Sequence, residues 1–358
     1  MARGNTDGLR MAAHGSTLAA MALCAGAALA SPPPDYDFDW ATIGNINNRA
    51  YDREDPFGVV AGRGSVPYRF RISRLEVTTA QWLEFVNTFS TQDVDDGFAF
   101  VPQRWGGQFD PDYAGPGIRW RLIASVPNAD RVALGGVSWR WAARYCNWLH
   151  NGKLSDLASL DTGAYDTSTW SDPSIGRPLT DGDTHLPGAK FWIPTVDEHL
   201  KAAYYDPRQD YWWLQPNGSD EFIPADQTSA DDRDRDTDAN WLRFPLGLYP
   251  DTQSPWGLLD LSGGGAEWNE DWFRTDPRAE RVARGSMIGQ GPGAQDTLEF
   301  VYSVGSDLPH DRASSRMSFR LATTVPSVPT ASLIVAACSH MRRKRCPCVL
   351  MQSCVGSH

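Results

Sequence analysis

Cysteine is nearly missing from the central part of this 358-residue chain. Of its six cysteines, Cys24 lies near the N-terminus and four lie after residue 337, so residues 31–324 contain only Cys146. One thiol cannot form an internal disulfide, and it cannot supply the paired thiolates that select Cu(I). A chain of this size can fold without disulfides because it buries enough apolar surface.

Other absences exclude further classes of protein. No sequence unit recurs at a fixed period, which argues against solenoids and propellers. No G-x-S-x-G elbow is present, so the nucleophile turn of serine hydrolases is missing. Histidine is scarce in residues 31–324, and no H-x-x-x-H pair occurs among the four that are present: His150, His185, His199 and His310.

A basic excess is also absent. The net charge is −11, and residues 31–341 are more acidic still, because four consecutive basic residues at 342–345 and a net positive N-terminus lie outside them. An acidic surface repels phosphate backbones and attracts cations. We therefore expect no nucleic-acid partner.

The N-terminus has the pattern of an export signal. Residues 1–30 carry Arg3 and Arg10, then an apolar run, then Ala28-Leu29-Ala30. This order predicts a secretory signal peptide that is cleaved after Ala30. The protein is therefore expected in the periplasm, at the cell surface or outside a bacterial cell.

The C-terminal residues 325–358 predict a separate tail. They combine prolines, an apolar run shorter than the about 20 residues that span a bilayer, and the basic cluster. The tail resembles a degenerate PEP-CTERM sorting signal, which implies membrane or cell-surface association. Cys346, Cys348, Cys354 and His358 could also be drawn as a zinc site, but their spacing is poor and an unstructured or processed tail is favoured.

Three short stretches predict amphipathic helices. Thr78 with Gln81 and Thr195 with Glu198 form capping boxes, and Ser138 is a third N-cap. The predicted buried faces of the first two helices are Trp82, Phe85, Val86 and Phe89, followed by Trp141, Tyr145, Trp148 and Leu149.

Between the helices the chain has little periodicity. Residues 68–72 alternate between apolar and polar and predict a half-buried strand. Residues 91–135, 151–190 and 207–250 show no sustained period. Long segments of this kind carry function or belong to an irregular fold.

Six blocks between residues 38 and 323 resemble, in order, the motifs of the formylglycine-generating enzyme family, also called the sulfatase-modifying factor family. They are YRFRISRLEVTTAQWLEFVN, GGVSWRWAARYCNWL, FWIPTVDEHLKAAYY, FPLGLYPDTQSPWGLLDLSGGGAEWNEDWF, RVARGSM and SFRLA. The resemblance implies one α+β domain over residues 31–324, with a fold related to C-type lectins and much irregular structure.

The resemblance also implies a calcium site at the glycine-rich turn. In the family this turn binds calcium through backbone carbonyls, an Asn and a Glu, and calcium prefers six to eight oxygen ligands. Here Glu267 matches the Glu, Gly263 and Gly265 could offer carbonyls, and Gly264 replaces the Asn. A tight glycine turn with no ion is the alternative.

A second calcium site is implied at Asn240 and Trp241, although the acidic loop that follows in the family is nearly absent. Just upstream, Asp232, Asp234, Asp236 and Asp238 have EF-hand-like spacing. The Gly and Glu that complete an EF-hand are missing, so a solvated loop is favoured there.

Copper is not expected. The resemblance implies two cysteines after the R-G-G-S block, yet residues 285–322 contain none. Cys146 matches a structural position whose disulfide partner in relatives is replaced here by Leu321, so we expect a buried free thiol.

Two histidine positions are also notable. His199 replaces a motif Trp and is expected at the helix surface or over a pocket. The His310–Asp311 pair is a weak catalytic candidate, and a solvated loop is the favoured interpretation of it.

The favoured hypothesis is therefore an exported family member without oxidase activity that binds an unknown protein, peptide or glycan ligand. The alternative is a metal-dependent enzyme, using non-heme iron or copper on an unknown substrate. A third interpretation is a lectin-like displayed receptor whose glycan binding depends on calcium.

Overall fold

The computed structural model describes residues 32–55, 58–92, 100–170, 181–182, 184–231, 238–273, 280–289, 297–298 and 315–326. The predicted signal peptide and nearly all of the predicted tail lie outside these ranges. The helices are α1 (Thr79–Thr88), α2 (Trp139–His150), α3 (Val196–Tyr204) and α4 (Asp238–Trp241). The strands are β1 (Trp40–Ile43), β2 (Phe70–Ser73), β3 (Gly107–Phe109), β4 (Trp120–Leu122), β5 (Phe191–Trp192), β6 (Tyr205–Asp206), β7 (Tyr211–Trp212), β8 (Ala266–Trp272), β9 (Arg281–Arg284), β10 (Met317–Ser318) and β11 (Ala322–Thr324).

The strands form four small sheets. The largest has the order β1-β2-β11-β5 and is antiparallel throughout, so it joins the two ends of the described chain. The second has the order β10-β8-β9, with β10 parallel and β9 antiparallel to β8. β3 pairs with β4 and β6 with β7, each pair antiparallel. Short strands separated by long irregular segments confirm the predicted α+β class.

The predicted helix starts are confirmed. Thr78 and Gln81 form a complete capping box before α1, as Thr195 and Glu198 do before α3, and the Ser138 side chain accepts from the third residue of α2. These caps satisfy N–H groups that have no partner inside the helix. The predicted strand at 68–72 begins two residues later, at Phe70.

Aromatic side chains dominate the core. The rings of Trp82 in α1 and Tyr145 in α2 stack at 5.2 Å, and both meet Phe319 edge-on at 5.9 and 5.7 Å. Phe85 and Trp148 extend the same cluster. The two helices are thereby fixed against the loop between β10 and β11, and all apolar side chains that the sequence assigned to their buried faces are buried.

Within the described ranges, no helix has both the length and the apolar character that a membrane crossing requires.

Candidate functional site

The glycine run before β8 forms a turn with backbone angles that glycine adopts most readily. Gly263 and Gly264 have φ angles of 122° and 68°, a region that residues with a side chain rarely adopt. The Gly264 N–H donates to Ser229 Oγ at 3.2 Å, and the Gly265 N–H donates to Glu76 Oε1 at 3.0 Å. A Cβ on Gly264 would lie 2.0 Å from Glu76 Oε1. The buried carboxyl group of Glu76 therefore packs directly against this backbone.

Glu267, the predicted calcium ligand, forms an ion pair with Arg320. Arg320 Nε and Nη2 each lie 2.5 Å from one of the two carboxylate oxygens, and neither side chain is exposed. Arg320 Nη1 also donates to the carbonyls of Ser73 and Arg74. Bidentate pairs of this kind are the strongest side-chain hydrogen bonds, and the extra partners offset the cost of burying the cation.

The donor set at this turn fits an internal ion pair better than a calcium ion. Calcium is held by negatively charged or dipolar oxygen atoms. The Arg320 guanidinium already pairs with both oxygens of Glu267, so its positive charge opposes a second cation there. Within the part of the chain that the structure describes, no three His, Cys, Asp or Glu side chains converge as metal ligands. Gly263, Gly265 and Glu267 therefore fit calcium poorly, and we assign the ion no chemical step.

The second predicted calcium position lies in α4. The Trp241 indole N–H donates to the Ala133 carbonyl at 2.9 Å, and Asn240 Oδ1 accepts from Arg243 at 3.2 Å. Trp241 packs in a small cluster with Ala133 and Leu246, separate from the main core that contains Trp268. Asn240 and Trp241 are thus held by contacts of their own, and most of the EF-hand-like acidic run before them lies outside the described residues.

Two more titratable groups lie beside the Glu267–Arg320 pair. Burial, and then the charge of Glu267, raise the pKa of Glu76 well above its usual range. Burial, and then Arg284 and Arg320, lower the pKa of His199 well below its usual range. His199 is 1% exposed, so the expected surface position is wrong, because this face of α3 packs inward. The surroundings therefore favour the neutral form of each group.

Five side chains form a second polar cluster that the sequence did not predict; we call it the acid–base cluster. They are Tyr68, Tyr165, His185, Glu198 and Glu270. Glu270 Oε1 accepts from the Tyr165 hydroxyl at 2.8 Å and lies 3.0 Å from His185 Nδ1, and Glu198 Oε1 accepts from the Tyr68 hydroxyl at 3.0 Å. Burial raises the pKa of Glu198 to about 7. The carboxyl of Glu198 can therefore gain or lose a proton near neutral pH.

His185 connects the acid–base cluster to solvent. Its side chain is 24% exposed and stacks on Trp192 at 4.6 Å. Burial lowers the pKa of His185, but the hydrogen bond and charge of Glu270 outweigh this and raise it overall. The imidazole is thus favoured in its charged form beside a buried carboxylate.

An open cleft of about 440 Å³ is lined by other residues than those of the acid–base cluster; we call it the polar cleft. Its volume is in the range of ligand pockets. Eleven residues line it: Asp206, Arg208, Gln209, Trp213, Asn217, Gly218, Asp251, Gln253, Ser254, Pro255 and Gly257.

Two tight turns form the walls of the polar cleft. In the first, Gln215 pairs with Ser219 around Gly218, whose φ is 72°. In the second, the Ser254 hydroxyl accepts from two backbone N–H groups, and Gly257, with φ 86°, is braced by Arg74, which donates to its carbonyl at 2.7 Å. These local bonds give the cleft a fixed shape.

Other residues that the sequence singled out lie outside the acid–base cluster and the polar cleft. Cys146 is a buried free cysteine in α2, as predicted, and burial raises the pKa of its thiol well above the usual range. Arg284, at the end of β9, is 1% exposed and donates weakly to the Leu298 carbonyl at 3.5 Å. The His310–Asp311 pair lies outside the described residues.

Comparison with known proteins agrees with the resemblance. The model of the sulfatase-modifying factor enzyme 1-like domain matches residues 42–325. No curated protein sequence matches the chain. Similar solved structures include CarF, with 16% identity, a TM-score of 0.48 and coverage of 80% of this chain and 98% of that chain.

Two further structures are similar. Variable protein 1 of Treponema denticola has 16% identity and a TM-score of 0.48, with 80% of this chain and 95% of that chain covered. PvdO from Pseudomonas aeruginosa has 14% identity and a TM-score of 0.39, with 80% and 92% covered. Since the family model covers most of the sequence, the chain belongs to the sulfatase-modifying factor, or formylglycine-generating enzyme, family.

Proposed function

We propose that this chain is an exported, non-oxidase binding module of the sulfatase-modifying factor family. It would use the family fold to hold a protein, peptide or glycan ligand rather than to oxidise a cysteine. The predicted signal peptide supports export, and the basic tail supports association with a membrane or cell surface.

The position of Cys146 carries this proposal. It is the only cysteine between residues 31 and 324, and it lies fully buried in α2 with a raised thiol pKa. The copper chemistry that the family resemblance implies needs two thiolates that can reach the metal. A thiol that is single, neutral and inaccessible cannot replace that pair.

Titration with Cu(I) tests the loss of oxidase chemistry. We use the chain ending at residue 324, so that the tail cysteines do not bind the metal, and Cys146→Ala as the matched control. The proposal predicts no stoichiometric tight binding in either protein and no oxidation of a cysteine in a sulfatase-derived peptide. Tight binding at one equivalent that Cys146→Ala abolishes would overturn it.

A metal-dependent enzyme of the same family is the second candidate function. The acid–base cluster favours it, because a buried carboxyl with a pKa of about 7 suits proton transfer at neutral pH. Metal analysis of the purified protein separates the two: tightly bound iron or copper supports the enzyme, whereas calcium alone or no metal supports the binding module.

A further inference from the structure

The polar cleft presents hydrogen-bond donors and acceptors around one aromatic ring. Asn217 and Gln253 each carry an amide with both kinds of group, Asp251 only accepts, and the guanidinium of Arg208 only donates. The ring of Trp213 is half-buried and held edge-on against Tyr211 at 4.7 Å. A ligand in this cleft would therefore meet an apolar face and mixed polar groups together.

One acceptor in the wall has no donor. Asn217 Oδ1 is inaccessible to solvent and has no hydrogen-bond partner in the part of the chain that the structure describes. Leaving a buried acceptor unpaired costs about 1–3 kcal/mol. Because the atom is covered, the side chains around it must shift slightly before a ligand hydroxyl can donate to Asn217 Oδ1 and remove this cost.

A buried carboxylate fixes the rim of the cleft. Asp206 is 2% exposed and accepts from Arg208 Nε at 3.2 Å and from Gln209 Nε2 at 3.1 Å. It also accepts from the Arg208 backbone N–H at 2.9 Å. Because these side chains are held before a ligand arrives, binding loses less conformational entropy.

The charges of the lining select against ionic ligands. Arg208 is the only basic side chain in the lining, and Asp206 already pairs with it, while Asp251 is exposed and makes no ion pair with another described residue. Phosphate and sulfate would meet net negative charge. An ammonium group could donate to the acceptors of the lining, but it could not accept from the donors of Asn217, Gln253 and Arg208. A hydroxyl group both donates and accepts.

We therefore propose that the polar cleft binds a neutral saccharide directly, with a sugar face on Trp213 and hydroxyl groups on Asn217, Asp251 and Gln253. No metal ion takes part in this contact. The proposal rests on the proposed function, since it names the ligand class of the binding module.

An array of neutral oligosaccharides built from hexoses and N-acetylhexosamines tests the proposal, in buffer with EDTA and with lysine-rich peptides as competitors. Retained glycans are then titrated by calorimetry. We expect Asp251→Ala, an exposed position, and Trp213→Ala each to weaken binding about 10-fold or more, because each removes a main contact. Phe222→Ala, an exposed aromatic outside the cleft lining, is the matched control and should leave affinity unchanged.

Three results would overturn the saccharide site: no neutral glycan is retained, only the lysine-rich peptides bind, or Asp251→Ala and Trp213→Ala both bind as tightly as the parent. Thermal unfolding of each variant shows that it is folded. The copper titration does not involve the polar cleft. If no glycan binds and no Cu(I) binds either, the saccharide site is contradicted but the proposed non-oxidase binding module is not.

Discussion

Glu267 and Arg320 are 53 residues apart in the sequence, yet they form a bidentate ion pair in which neither side chain is exposed. Glu267 lies in β8, and Arg320 lies in the connection that leads to β11 of the largest sheet. The pair therefore links the sheet of β8 to the sheet that joins the two ends of the domain. Both oxygens of Glu267, the carboxylate that the family resemblance assigns to calcium, are thus bonded to Arg320.

Removing one member of this pair should destabilise the protein strongly. Arg320→Leu leaves the Glu267 carboxylate buried without its cation, and we expect a loss of about 3–5 kcal/mol in the free energy of unfolding. Urea unfolding measures this. Arg121→Leu, which removes an exposed arginine that pairs with Asp110 and Asp112, should cost only about 1 kcal/mol. Equal losses in the two variants would contradict a structural role for the buried pair.

The Gly264 turn should not tolerate a side chain. Gly264→Ala adds a Cβ 2.0 Å from Glu76 Oε1 at a φ of 68°, so both strain and a clash follow. Gly152→Ala is the matched control, because its φ is 78° and no atom lies within 4 Å of the added Cβ. In the control we expect strain alone to lower the free energy of unfolding by about 1 kcal/mol. Gly264→Ala should lower it by clearly more. Chemical denaturation compares them, and similar losses would mean that Glu76 moves away freely.

The pKa of Glu198 gives the stability a defined pH dependence. Its pKa is about 7 in the folded protein, against an ordinary value of 4.5. The folded protein therefore holds this proton more tightly than the unfolded chain, so the stabilisation is complete below pH 4.5 and is lost as the pH rises to about 7. A difference of one in pKa between the folded and unfolded states corresponds to about 1.4 kcal/mol, which sets the loss at roughly 3 kcal/mol.

Glu198→Gln should flatten this part of the pH profile. Glu221→Gln, at an exposed glutamate, is the control and should retain the slope of the parent between pH 4.5 and 7. Unfolding by denaturant at several pH values gives both slopes. Glu76 and Asp260 also have raised pKa values, that of Asp260 about 6, so some slope will remain in Glu198→Gln, and the lowered pKa of His199 adds a slope of opposite sign. An unchanged slope would assign the titration to those groups instead.

Local features of the fold could be predicted from the sequence because they depend on neighbouring residues. The capping boxes at Thr78 and Thr195 follow from spacing alone, and so do the aromatic faces of α1 and α2. The Glu267–Arg320 pair, in contrast, depends on how distant loops meet, and no local pattern distinguishes a carboxylate that binds calcium from one that binds arginine. The acid–base cluster and the polar cleft were missed for the same reason.

Calcium at the glycine turn can be tested without further structural work. Because Arg320 engages both oxygens of Glu267, we expect neither EDTA nor added Ca²⁺ to shift the Tm. A site loaded at 100 times its Kd would instead stabilise the fold by about 2.7 kcal/mol, which differential scanning calorimetry detects easily. Such a shift, if Glu267→Gln abolished it, would show that calcium displaces the arginine.

Cys146 should be chemically silent in the folded protein. Its side chain is 0% exposed, and burial raises the pKa of the thiol, so both access and thiolate formation oppose reaction. Alkylation by iodoacetamide, followed by mass spectrometry of each cysteine peptide, should label Cys346 quickly if the tail is retained and label Cys146 only in denaturant. Rapid labelling of Cys146 under native conditions would show that α2 opens readily and that the thiol is accessible to a metal ion.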